Sequence, residues 1–288
     1  MSNQTYGARS FIVFGNLGIL PIYPNTCLDA RQEPNFTPIL SNVSPVNYFP
    51  GLITPIVTVR FPVRDVNDGV LRRNGSTGIL DYLIQRITNI TNDVYTIGDI
   101  YVWNGRECTQ VKSAKLDAFS ISSQKGGDID IVARFVGLSA DVVGYVAPAS
   151  FPGWDTSRLL RFNALTFGGT LASFPPVSFA LTYCNNHFPE WGMNGTYYPV
   201  KWCAGSPTCN FQIVEKAIDY DPITKGDYAQ VIVNGTGRQC LFTAAQCIPS
   251  NSRSVSLTAP QNYKTYTYTV KASDPSLTPM GVVNVGAW

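Results

Sequence analysis

The chain has 288 residues, of which 44% are hydrophobic and 14% are charged, and its net charge is +2. The charged fraction lies well below the ~25% of an ordinary soluble domain. No basic run is longer than Arg72-Arg73, which excludes the basic patch that nucleic-acid-binding proteins use to neutralise phosphates. Abundant Gly, Pro, Tyr and Phe favour many short strands joined by turns, in one large β domain or two of ordinary size.

The first 56 residues are predicted to form an N-terminal extended arm that contains one strand, at residues 10–20. A connector with seven prolines between residues 21 and 55 follows this strand. Proline lacks a backbone donor and has a fixed φ, which excludes a helix or a central strand there. We therefore expect an arm that lies over another surface.

A first domain is predicted over residues 57–137. It begins with a strand at 56–63, followed by a polar loop at 65–77. Helical spacing of Ile79, Leu80, Leu83, Ile84 and Ile87 predicts a flanking helix near 79–90. A further strand ends at Trp103, where Asn104-Gly105 is a strong hairpin signal.

The most informative stretch is residues 111–137, which has the pattern of two strands on either side of a turn. Apolar residues alternate with polar ones on both sides of Gln124-Lys125-Gly126-Gly127. Alternation with a period of two places one face on a core and leaves the other polar. In the first strand the inward set is Ala114, Leu116, either Ala118 or Phe119, and Ile121.

A linker is predicted at 138–157 and a second domain at 158–288. The second domain opens with a related pair of strands at 160–185, which suggests a duplicated β scaffold. A long loop follows at 185–209, then a strand at 211–220 and a weakly helical segment at 224–233. Short strands at 239–244 and 254–259, a long alternating strand at 264–272 and a tail expected to dock on a neighbour complete the chain.

The seven cysteines indicate mostly reduced thiols in a cytoplasm, because their number is odd and no signal peptide is visible. A local Cys203–Cys209 bridge stays open as an alternative. Four soft ligands, Cys184, His187, Cys203 and Cys209, could in principle bind zinc. Their spacing is unusual for a zinc knuckle, so we expect neither a metal nor another cofactor.

Enzyme classes have little support, and we expect no catalytic residues. His187, the only histidine, lies in a predicted loop, and no P-loop or dinucleotide-binding glycine motif is present. Acidic pairs such as Asp128/Asp130 leave a hydrolase as a third hypothesis. The aromatic cluster Trp191, Tyr197, Tyr198 and Trp202 leaves a secreted carbohydrate-binding β module as an alternative, although loop packing or an oligomer contact is the favoured explanation.

The two strand patterns at 111–137 and 160–185 resemble the strand pair of tail tube proteins from long-tailed bacteriophages. The resemblance lies in alternating strand, turn and alternating strand ending in Phe-x-Gly, here Phe135-Val136-Gly137. It implies a mainly β fold (α+β): two tandem β-sandwich or half-barrel domains with a flanking helix, whose sheets join between subunits into a ring. Three double-domain subunits would equal a six-domain ring, and stacked rings would form a hollow tube. The proline-rich arm and the loop at 185–209 depart from the pattern and leave open a distal-tail or hub protein.

The resemblance also implies a location and partners. The protein would be a virion component assembled in the host cytoplasm, bound to copies of itself and to other tail proteins, with DNA as passive cargo and no membrane. Candidates for the lumen or the seam between subunits are the polar residues Lys112, Lys115, Asp117, Ser122, Asp128, Asp130 and Arg134. Candidates for contacts between rings are Arg72, Arg73, Trp191, Tyr198, Trp202 and Trp288.

Overall fold

The structure of the protein, a computed structural model, describes twenty segments of the chain. These are residues 11–14, 19–21, 27–29, 35–37, 47–49, 52–62, 72–73, 77–78, 96–103, 107–124, 127–144, 161–167, 170–171, 177–192, 197–216, 229–235, 238–244, 246–258, 261–271 and 280–285.

The regular elements in these segments are all β-strands, and they pair antiparallel. The prediction of a mainly β protein is confirmed at this level. In chain order the strands are β1 (Phe11–Phe14), β2 (Ile19–Pro21), β3 (Cys27–Asp29), β4 (Asn35–Thr37), β5 (Asn47–Phe49), β6 (Ile56–Pro62), β7 (Arg72–Arg73), β8 (Thr77–Gly78), β9 (Thr96–Trp103), β10 (Cys108–Gln124), β11 (Asp130–Val136), β12 (Ser139–Val143), β13 (Arg161–Phe167), β14 (Thr170–Leu171), β15 (Ser178–Cys184), β16 (Phe188–Glu190), β17 (Lys201–Cys203), β18 (Thr208–Lys216), β19 (Ala229–Gly235), β20 (Arg238–Ala244), β21 (Gln246–Thr258), β22 (Gln261–Lys271) and β23 (Met280–Val285).

Twelve strands form one large sheet with the main order β2-β1-β9-β10-β15-β18-β22-β21. The long strand β10 is where the sheet branches. Its first half pairs with β9 and β12, and its second half pairs with β15 and β11, which continues to β6 and β3. A second sheet has the order β14-β13-β19-β20-β23, and three two-stranded ribbons accompany the two sheets.

The core lies on one face of six neighbouring strands, β6, β11, β10, β15, β18 and β22. Register places their buried side chains in rows across the sheet; Ile121, for example, lies between Ile131 and Leu181. Period-two alternation explains why one face collects the apolar residues of all six strands. The buried set is Val57, Val59, Leu116, Phe119, Ile121, Ile131, Ala133, Phe135, Phe179, Leu181, Tyr183, Cys209, Phe211, Ile213, Tyr266, Tyr268 and Val270.

The predicted hairpin at 111–137 is confirmed. β10 and β11 pair antiparallel, and the amide of Gly127 donates to the carbonyl of Gln124 at 2.8 Å across the predicted turn. The hairpin signalled by Asn104-Gly105 also forms, because β9 and β10 pair from Trp103 opposite Cys108.

The predicted strand pair at 160–185 is wrong. β13 belongs to the second sheet, where it pairs with β14 and β19, whereas β15 lies between β10 and β18 in the large sheet. The duplication of the 111–137 hairpin is therefore absent from the described pairings. Strands from both sides of the predicted linker at 138–157 also join in the large sheet.

Smaller corrections concern two segments, and a third prediction is untested. The strand expected at 10–20 is two strands, β1 and β2, paired as a hairpin. The segment at 224–233, expected to be weakly helical, contains the start of β19. The helix predicted near 79–90 lies outside the described residues.

Candidate functional site on the polar face of the large sheet

The second face of the same six strands carries mostly small uncharged polar side chains. Register fixes this face because its residues alternate with the core residues along each strand. We call it the polar face. Its members are Thr58, Arg60, Ala118, Ser120, Ser122, Asp130, Val132, Arg134, Ser178, Ala180, Thr182, Asn210, Gln212, Val214, Thr265, Thr267 and Thr269.

A cavity of about 640 Å³ lies on the polar face. One row of its floor crosses four strands, with Asp130 opposite Ser122, Ser122 opposite Ala180, and Ala180 opposite Gln212. The next row contains Gln124, Ser178 and Val214 in the same order of strands. Because the side chains at the centre of this floor are small, the sheet surface is open to solvent there.

The turn between β10 and β11 closes one end of the cavity and is held by Ser123. The Ser123 hydroxyl is buried and contacts three carbonyl oxygens, those of Gln124 at 2.9 Å, Gly127 at 3.2 Å and Asp128 at 2.9 Å. Ser123 therefore holds the backbone of Gln124, Gly127 and Asp128 in place, and these residues form the rim of the cavity.

Three of the predicted lumen or seam residues, Ser122, Asp128 and Asp130, come together in the cavity lining. Asp130 forms an ion pair with Arg60 of β6, and both side chains are about one-third exposed. Lys112 lies elsewhere, paired with Asp141 of β12 at 3.0 Å. Lys115 donates to the carbonyl oxygen of Trp202 at 3.4 Å.

Asp117 differs from the other candidates because its side chain is buried, so it does not line a lumen surface, and its place at a seam between subunits stays a prediction. It is the extra residue of a β-bulge, since Leu116 and Ala118 face consecutive residues of β11. The Asp117 carboxylate accepts hydrogen bonds from the Arg134 guanidinium and from the His187 amide at 2.8 Å. The His187 ring Nδ1 lies 3.1 Å from the same carboxylate.

The pKa of Asp117 follows from two opposed effects. Burial on its own would raise the pKa, because the charged form loses its hydration. Hydrogen bonds from His187, followed by the hydrogen bond and charge of Arg134, outweigh burial and hold the pKa of Asp117 below its ordinary value. The carboxylate is therefore charged in the native state and acts as a structural anchor.

The residues around the bulge also anchor Asn185, and the nearby residues Gly137 and Ala140 bind two aromatic side chains. The Asn185 amide donates to the Asp117 carbonyl at 2.7 Å, and its side chain donates to the Leu116 carbonyl at 2.9 Å. Farther along, Trp202 Nε1 donates to the carbonyl of Gly137 at 2.8 Å, and the Tyr198 hydroxyl donates to that of Ala140 at 2.9 Å.

These contacts involve two of the aromatic residues that were predicted to form contacts between rings. Trp202 is 5% exposed, and its indole is bound within its own chain, so it is not available for a contact between rings. Tyr198 is half-buried, with its hydroxyl bound to β12. Since two of the four aromatics are used in this way, loop packing explains the cluster better than a sugar platform does.

The remaining candidates for contacts between rings are Trp191, Arg72, Arg73 and Trp288. Trp191 is partly exposed near β16. Arg72 and Arg73 form β7, which pairs with β8. Trp288 lies outside the described residues.

The four candidate metal ligands are not brought together. Cys184 contacts Asn186, Cys203 contacts Glu190, and Cys209 is buried in the core. Among the described residues, no group of three Cys, His, Asp or Glu side chains is placed to hold a metal ion. Cys203 and Cys209 are free thiols, so the alternative of a bridge between them is wrong.

Thiol reactivity should separate these cysteines. Burial, with a smaller contribution from Cys247, raises the pKa of Cys209 to about 12, and burial also raises the pKa of Cys108. Because the thiolate is the nucleophile, we expect iodoacetamide at pH 8 to modify the partly exposed Cys184 and Cys203 in the native protein. Peptide mass mapping measures this, and equal modification of Cys108, Cys209 and Cys247 before unfolding would contradict the described burial.

Sequence reasoning missed several residues of the site. Arg60 and Gln212 line the cavity, and Asn185 holds the loop to the bulge. Arg60 and Gln212 lie at polar positions of strands whose polar and apolar residues alternate, and this alternation is visible in the sequence. The strand order that brings Arg60 to Asp130 and Gln212 to Ala180 is not visible there. Asn185 carries no pattern that marks it.

No protein-family model and no curated protein matches the chain.

Within the described residues, no helix is long and apolar enough to span a membrane.

Proposed function

We propose that the chain is a structural virion protein that self-assembles into stacked rings and forms the hollow tail tube of a long-tailed bacteriophage. The observation that carries the proposal is the division of one sheet into an apolar face and a polar face across six strands. A wall around a water-filled channel needs a hydrated inner surface backed by a core. The polar face supplies such a surface. The resemblance of residues 111–137 to the strands of tail tube proteins supports a channel of this kind.

The charges on the polar face support passage of DNA as passive cargo. Arg60 is bound to Asp130, and Arg134 is bound to Asp117. An arginine paired with an aspartate attracts phosphate less than an isolated one, because the pair is nearly neutral at a distance. DNA would therefore slide over serine, threonine and amide side chains without strong binding.

The edges of the large sheet support assembly from copies of the chain. Among the described strands, β12 pairs with β10 alone, and Val142 on β12 is 71% exposed. An open edge with an exposed valine is prone to pair with another strand unless something covers it. A second copy that extends the sheet would remove this edge, and heterologous contacts of this kind can close into rings.

A distal-tail or hub protein remains the alternative within the same assembly. It would share the edges and the polar face but would form one ring without a stack. The number of stacked rings seen by microscopy separates it from a tube protein.

Assembly is the direct test. We expect purified protein to sediment as oligomers and to show rings or tubes in negative-stain images. Val142→Lys should shift it towards monomers, because a charged side chain on an edge strand opposes pairing. Its melting temperature should change little, since the valine is mostly exposed.

Val200→Lys is the matched control, because Val200 is also exposed but lies outside the edge strands of the large sheet. We expect this variant to retain ring formation. A wild-type protein that stays monomeric at all concentrations would rule out the proposal. Equal loss of rings in both variants would show that the β12 edge is not the specific contact.

A further inference from the structure

The cavity on the polar face has the size and chemistry of a ligand site, independently of whether the chain assembles. Its volume of about 640 Å³ lies within the range of ~300–1,000 Å³ that is usual for small-molecule sites. Its floor spans neighbouring strands spaced by about 4.8 Å, so it is elongated across the sheet. An elongated floor suits a short linear ligand.

The lining offers groups that both donate and accept hydrogen bonds. Ser122 and Ser178 supply hydroxyls, and Gln124 and Gln212 supply amides. The Arg60–Asp130 ion pair presents a donor and an acceptor side by side. Ligand hydroxyls have the same double capacity, so vicinal hydroxyls match this lining.

The charges of the lining argue against anionic ligands. Among the described lining residues, Arg60 is the only cationic side chain, and the aspartates Asp128 and Asp130 line the same cavity. Arg60 is also held by Asp130, so it is not positioned as a lone cation for a phosphate or a sulfate. A neutral ligand avoids both desolvation of charge and repulsion.

The shape of the floor argues against an extended peptide. Peptides that add to sheets bind along open edges through backbone hydrogen bonds. Here β10, β15 and β18 already have partners on both sides. The apolar side chains of Ala180 and Val214 on the floor suit the C–H face of a sugar ring better than large peptide side chains.

We propose that this cavity binds a short neutral oligosaccharide, held by Ser122, Ser178, Gln124, Gln212 and the Arg60–Asp130 pair above the floor at Ala180. The site differs from the aromatic cluster at 191–202, for which a sugar platform was the less favoured alternative. It does not depend on ring formation, so the isolated chain should bind.

A glycan array that carries neutral oligosaccharides and their sialylated and sulfated counterparts tests the inference. We expect binding to neutral members and weaker binding to the anionic ones. Titration calorimetry with the best neutral oligosaccharide then gives the affinity for variants. Ala180→Leu should weaken binding by about tenfold or more, because the larger side chain fills the floor.

Thr182→Leu is the matched control, because Thr182 lies on the same face of β15 but outside the described lining of the cavity. We expect wild-type affinity from it. Gln212→Ala, which removes an amide without adding bulk, should also weaken binding and covers the case in which Ala180→Leu unfolds. No binding to neutral glycans, tighter binding to sulfated ones, or full affinity in Gln212→Ala and in folded Ala180→Leu would each overturn the inference.

Discussion

Asp117→Asn should lower the free energy of unfolding at pH 7 by about 2 kcal/mol, because it removes the charge of a buried carboxylate that accepts hydrogen bonds from Arg134 and His187. Asp117 is 1% exposed and holds Arg134 and His187 at one point of the fold. An asparagine can still accept one hydrogen bond, but its amide group would face the donors of Arg134. Denaturant unfolding at pH 7 measures the loss.

The pH dependence has a definite sign. The pKa of Asp117 is lower in the native state than in the unfolded chain, where it is close to ~3.9. The native state therefore binds fewer protons in acid, and the stabilisation from this group is present above the unfolded pKa. It is lost as the pH falls through the native pKa. We expect the difference between wild type and Asp117→Asn to shrink steadily below pH 4.

Asp130→Asn is the matched control for this prediction. Asp130 also forms an ion pair with a partly exposed arginine, but its own side chain is 34% exposed, whereas that of Asp117 is 2% exposed. Pairs near the surface contribute ~0–1 kcal/mol, because solvent screens them. If Asp130→Asn destabilises the protein as much as Asp117→Asn does, burial of the bulge is not the cause.

The bulge at Asp117 also shows where sequence patterns lose information. The hairpin at 111–137 was predictable because both strands alternate and the turn residues are distinctive. The inward residue after Leu116 was ambiguous between Ala118 and Phe119. The structure places Phe119 in the core, because the extra residue at Asp117 reverses the phase of the alternation.

Strand order was the part that alternation could not provide. β13 and β15 both alternate and, among the described strands, are separated in the sequence only by the two-residue strand β14, yet they lie in different sheets. Period-two patterns identify the buried face of a strand but not its neighbour. The cavity depends on that order, because Ala180 and Gln212 come from β15 and β18, which are far from the β10–β11 hairpin of Ser122 and Asp130 in the chain.

Gly137→Ala should destabilise the protein by about 2–3 kcal/mol, as expected for overpacking of a core. A Cβ atom at Gly137 would lie 2.2 Å from Cγ1 of Val111, which is buried in β10. The backbone cannot easily move away. The Gly137 amide donates to the Pro55 carbonyl at 2.9 Å, and the Gly137 carbonyl accepts from Trp202 at 2.8 Å.

A double-mutant cycle isolates this steric cause. Val111→Ala alone should cost about 2 kcal/mol through lost burial of its methyl groups, but it also makes room for the new Cβ. The combination with Gly137→Ala should therefore cost less than the sum of the single changes, with a coupling of about 1 kcal/mol or more. Gly144→Ala is the control, because a Cβ there would meet nothing within 4 Å. Thermal or denaturant unfolding of wild type, the two single variants and the double variant measures the cycle. Strict additivity of the two single changes would mean that the Val111 side chain is not what excludes a side chain at Gly137, after the end of β11.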